Sequence, residues 1–88
     1  MFLKGSVIMT IGEACRIRIQ ELCDQRGITL NKLAITSGIT QSTLNNIMRG
    51  RNKSTTVSTI KKICDGIDIS VLEFFSAEIF VDLEQEIK

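Results

Sequence analysis

The sequence has no histidine, proline, tryptophan or tyrosine, and its only aromatic residues are four phenylalanines. Without histidine, the commonest general base and the commonest metal ligand are missing. No nucleophile–base pair can be proposed, and the carboxylates gather on a tail rather than across a cleft. An enzyme is the least expected class, and no metal or cofactor is expected. Cys15, Cys23 and Cys64 form an odd set with no C-x-x-C pair. That excludes zinc spacing and a disulfide framework. They read as core residues of a reduced, cytoplasmic chain. No run approaches the roughly 18 apolar residues of a membrane span, so no membrane partner is expected. The first nine residues lack the apolar stretch of a signal peptide and read as a tail.

What is present suffices for one small domain. The chain has 88 residues, 43% hydrophobic and 24% charged, a globular composition with a modest core. Glycines 27, 38, 50 and 66 each follow a stretch of helical apolar spacing, where a helix end often needs positive φ. Start signals lie between them: Thr29, Thr40 and Thr56, and two capping-box patterns, Thr10–Glu13 and Ser70–Glu73. This alternation predicts five helices over about 11–26, 30–37, 41–49, 57–66 and 71–76, with a weaker sixth over about 77–87. One-sided apolar stripes agree: Cys15, Ile19, Leu22 and Cys23; Leu30, Leu33 and Ala34; Leu44, Ile47 and Met48; Val57, Ile60, Ile63, Cys64 and Ile67. The expected fold is an all-α, compact five-helix bundle, with residues 1–9 a tail, 10–76 the domain and 77–88 an acidic amphipathic segment.

Charge is split along the chain. Residues 16–62 hold nine bases and two acids, a balance of +7, whereas residues 63–88 hold Lys88 against seven acids, a balance of −6. Any single Lys or Arg is most simply a solvated surface group, and Arg16, Arg18, Lys61 and Lys62 are read that way, with approach to a phosphate backbone left open for Arg16. Arg49, Arg51 and Lys53, clustered behind a short helix, are better explained by phosphates, whose neutralisation releases counterions. The acidic tail would be repelled by the same phosphates.

The stretch from Leu30 to Gly50 has the spacing of a helix-turn-helix. Ala34 is small where two helices must approach, Gly38 opens the turn, Ile39 plugs it, and Leu44 and Ile47 hold the second helix down. Opposite that apolar side lie Ser42, Asn46 and Arg49, flanked by Asn45, with Gln41 at the N-terminal tip. A merely solvated helix would carry Glu and Lys there. Amides and hydroxyls are the groups that read base edges: Asn or Gln pairs with adenine through two hydrogen bonds, and Ser or Thr bonds to several bases. Thr43 is expected to face a neighbouring helix.

Through Leu33-Ala34, Gly38-Ile39-Thr40, Ser42-Thr43-Leu44, Ile47, Gly50 and the closing Ile60, Ile63, Ile67–Ser70 and Phe75, residues 11–76 resemble the Cro/cI-type (XRE) helix-turn-helix domain. The resemblance implies a lambda-repressor-like fold whose third helix enters the major groove of double-stranded DNA. It places Gln41, Ser42 and Asn46 at base-reading positions, with Asn45 a further candidate. It places Thr40, Arg51, Asn52, Lys53 and Thr56 against phosphates. Asn31 and Lys32 stand at the start of the second helix, where a phosphate is favoured. Arg49 is either another phosphate contact or a charge on the helix end. The chain departs from many members at Leu30, where they carry Gln, and at Thr55, where they carry Pro. It also has Cys23 and Met48 where some members hold an Arg–Glu pair.

Phe74, Phe75 and Phe80 stand among acids, so core or dimer packing explains them better than stacking on bases. Ile79, Phe80, Leu83 and Ile87 make an apolar stripe that must pack on something. With Phe74, they are the expected homodimer interface. The reading is a sequence-specific transcriptional regulator, a repressor or activator acting as a homodimer on an operator. One alternative is an antitoxin-like DNA-binding protein whose C-terminal surface holds a partner protein. A pure protein-interaction module is a weaker rival.

Overall fold

The structure, a computed structural model, describes residues 9–50 and 55–83. It has five helices: α1 (Ile11–Arg26), α2 (Leu30–Ser37), α3 (Gln41–Met48), α4 (Val57–Gly66) and α5 (Val71–Phe74). A single 3-10 turn follows at Glu78–Phe80.

One device starts all five helices. A hydroxyl at the N-cap accepts from the amide three residues on: Thr10 from Glu13, Thr29 from Lys32, Thr40 from Thr43, Thr56 from Thr59 and Ser70 from Glu73, at 2.9–3.1 Å. Each bond satisfies one of the amides that a helix start leaves without a partner. Only α1 forms the complete capping box, with Thr10 N donating to Glu13 Oε1 at 3.0 Å. At α5 the hydroxyl half alone is made.

The apolar stripes converge on one core. Ile19, Leu33, Leu44, Ile63, Cys23, Cys64 and Phe74 are fully enclosed. Met48 and Leu30 pack against this core from its edge. Val57 departs from its stripe and is 75% exposed, because as the first residue of α4 it lies on the solvent side of the cap.

Gly27, Gly38 and Gly50 take positive φ, as a helix stop requires. Gly66 does not. It ends α4 against α2, where a Cβ would lie 2.5 Å from Ser37 Oγ and 2.9 Å from Ser37 Cα. Close approach of two helices explains that glycine, and the positive φ of this turn falls on Asp68 (62°).

The C-terminal segment differs from the expected sixth helix. Within the described residues it makes only the 3-10 turn, after which Leu83 pairs with Met9 in a single parallel β-bridge. Phe80 explains this path. Its ring stands edge-on to Phe75 at 4.9 Å and 6.0 Å from Phe74. A continuous helix is not needed to bury the stripe when an aromatic anchor closes the segment over its own domain. Ile87 lies outside the described residues.

Candidate nucleic-acid interface

The turn between α2 and α3 sets the candidate site. Gly38, at φ 71°, ends α2 with its amide donating to Ile35 O at 3.3 Å. The next amide, of Ile39, donates to Ala34 O at 3.1 Å, and its side chain packs against the core. Two residues after Gly38, Thr40 caps α3. Leu44 and Ile47 are buried, which fixes the roll of α3 about its axis.

That roll leaves Gln41, Ser42 and Asn45 exposed, with Asn46 half-buried. Thr43 is exposed rather than turned toward a neighbouring helix. The cap holds it there, with the Thr40 hydroxyl donating to Thr43 Oγ1 at 2.8 Å. The Thr40 cap takes only the Thr43 amide, so the amides of Gln41 and Ser42 at the tip of α3 have no protein acceptor among the described residues. Such a tip attracts anions. The start of α4 repeats the arrangement, with the hydroxyls of Thr56 and Thr59 3.0 Å apart. Asn31 and Lys32 are exposed on the first turn of α2, and Arg49 is exposed where α3 ends. The expectations for Arg51, Asn52 and Lys53 lie outside the described residues.

Arg18 overturns its reading as a solvated charge. It is 8% exposed and reaches from α1 to the end of α5. Its Nε donates to Phe74 O at 2.7 Å and its Nη2 to Glu73 O at 3.0 Å, while Nη1 meets Glu21 Oε1 at 2.7 Å. Phe74 O is a helix-end carbonyl with no other donor among the described residues, whereas Glu73 O also accepts from the Ser76 amide at 3.2 Å and hydroxyl at 2.8 Å. Nothing in the local sequence marks that role. Phe74 also departs from expectation: it is wholly buried inside its own domain and offers no surface to a second chain. The exposed apolar side chains at that end are Leu72 and Val81.

The three thiols are free and buried. Burial pushes all three up from the ordinary thiol value. Arg16 partly offsets this at Cys15, and the carboxylates of Asp24 and Asp65 add to it at Cys23 and Cys64. Thiols held neutral are poor nucleophiles. No helix among the described residues is long and apolar enough to cross a membrane.

Residues 18–78 match the sequence profile of the Cro/C1-type HTH DNA-binding domain. The HTH-type transcriptional regulator SlrR of Bacillus subtilis (strain 168) is 33% identical over 54 residues, covering 61% of this chain and 36% of that protein. The match thus spans about a third of that relative's length. The crystal structure of the prophage Lp1 protein 11 superposes with a TM-score of 0.76 at 36% identity, covering 86% of this chain and 100% of that one.

Proposed function

The chain belongs to the Cro/C1-type helix-turn-helix DNA-binding family, and we propose that it is a sequence-specific transcriptional regulator that reads double-stranded DNA through α3. One observation carries this reading: α3 is anchored by Leu44 and Ile47 and presents an outer face of amides and hydroxyls free of carboxylates. In the major groove, Gln41, Ser42, Asn45 and Asn46 contact base edges. Bidentate amide–adenine pairs set preference. Thr40, Asn31, Lys32, Arg49 and Thr56, with Arg51, Asn52 and Lys53 of the following loop, hold phosphates and fix register without reading sequence.

The protein acts as a homodimer on an operator with two-fold symmetry, joined through α5 and the segment after it. Ile79, Phe80 and Leu83 are half-buried by their own domain, and the exposed apolar surface beside them belongs to Leu72 and Val81. Two such domains place their α3 helices in successive major grooves, about 34 Å apart. Occupying a promoter in this way regulates it by occlusion or recruitment.

Selection of sites from a random duplex library at near-physiological salt tests the reading. An enriched inverted repeat with half-sites about one helical turn apart is the expected result. Weak, salt-sensitive binding without enrichment would instead favour the protein-interaction reading, in which the acidic end holds a partner protein.

A further inference from the structure

The far end of α3 is held by a residue outside the helix-turn-helix. After Met48 the chain leaves the helix at Arg49 and turns through Gly50, at φ 74°. Arg16 reaches this turn from α1. A Cβ placed on Gly50 would lie 3.4 Å from Arg16 Cζ, 3.5 Å from Nη1 and 3.7 Å from Nη2. With the central carbon nearest and both nitrogens almost as close, the guanidinium presents its face to the turn, not an edge. Its other neighbour is Glu13, whose Oε2 lies 4.0 Å from Nη2. Glu13 is itself pinned, because Oε1 accepts the Thr10 amide in the capping box of α1. The Arg16 side chain is 24% exposed, against 48% for Glu13. A cation beside the C-terminal end of a helix is also favoured by the helix dipole.

We propose that Arg16 is a positioning residue for DNA recognition. It braces the exit of α3 against the longest and best-capped helix and so fixes the attitude of α3 in the groove, without contacting DNA itself. The glycine supplies the positive φ of the turn, and a Cβ there would only touch the guanidinium at ordinary contact distance, which shows how closely the two approach. A lysine cannot replace Arg16, since an ammonium has charge but no planar face.

The inference rests on α3 being the reading helix, and the test separates the two claims. Wild type, Arg16→Ala and Arg16→Lys are titrated with the selected site and with a random duplex over a range of salt. Both substitutions are expected to shrink the preference for the selected site about tenfold. The salt slope should stay unchanged, and melting should stay cooperative and close to wild type. A salt slope lowered by about one would make Arg16 a phosphate contact and overturn the inference. So would full rescue by Arg16→Lys, or an Arg16→Ala protein with undiminished preference. A wild-type protein that selects no site defeats the reading of α3, and the Arg16 inference with it.

Discussion

The two exposed ends of the bundle are made of opposite materials. The α3 end shows uncharged polar groups (Gln41, Ser42, Thr43 and Asn45) on a half of the chain that carries a balance of +7. The α5 end shows Leu72 at 82% exposure and Val81 at 72%, among the exposed acids Asp68, Glu73, Glu78 and Asp82. Residues 63–83 contain five acids and no base. Neither is the mixed Glu/Lys surface of a helix that only meets water. A surface free of carboxylates and rich in donors and acceptors suits base edges, inside a phosphate field that basic neighbours satisfy. A surface both apolar and acidic suits protein and repels DNA. The difference fits the proposed division of partners between the ends, and Phe74 and Leu44 lie in the single core that joins them.

The largest effect on both ends together is expected at that core. Phe74→Ala removes a fully enclosed ring from contact with Phe75 and Phe80. A loss of about 3–5 kcal/mol is expected in urea unfolding, enough to endanger a domain this small. A loss under about 1 kcal/mol would mean that the C-terminal segment does not close over the core. Next comes Arg18→Ala, which removes the guanidinium donors to Phe74 O and Glu73 O and leaves Glu73 O to Ser76. Bonds to a charged donor suggest a cost of about 2–3 kcal/mol. The loss should show as faster amide exchange in α5 and the 3-10 turn, with α3 protected as in wild type. Equal loosening at both ends would show that the ends are not separable.

The sequence made the α3 end far more legible than the α5 end, for a physical reason. Caps, turns and stripes are local, so the spacing from Thr29 to Met48 predicts α2, the turn and α3 almost to the residue. The path after Phe74 depends on partners distant in sequence, Arg18 from α1 and Met9 for Leu83, and on a ring contact between Phe75 and Phe80 that helical periodicity does not reveal. A stripe at i, i+1, i+4 and i+8 fits a helix, yet aromatic packing buries it without one. Gly66 shows the same limit. Glycine serves either a positive φ or a close approach, and only the position of Ser37 tells which. Val57 fits the periodicity of its helix but sits in the first turn, where the stripe has not yet met the core.

Within the α3 end, the reading and structural roles should separate by substitution. Gln41→Ala removes an exposed amide, so stability should stay within about 0.5 kcal/mol of wild type. Affinity for the selected site should fall by about 1–3 kcal/mol, with relaxed preference at one base pair. An equal loss on every duplex would move Gln41 to the phosphate group. Thr40→Ala acts on both. It removes the cap on the Thr43 amide, at a cost of about 1 kcal/mol in stability. It should also weaken binding to all sequences alike, because a backbone contact carries no base information.

The smallest stability effect is expected at Leu72, and it isolates the α5 end. With so much of its side chain in water, Leu72→Ser should change unfolding by less than about 0.5 kcal/mol. If two copies meet through this surface, the same substitution moves sedimentation toward the monomer. It then weakens binding to an inverted repeat far more than to a single half-site, because the second α3 is no longer tethered. An unchanged mass and unchanged repeat binding would take Leu72 out of the interface. The acidic, apolar end would then be left for a different, basic protein.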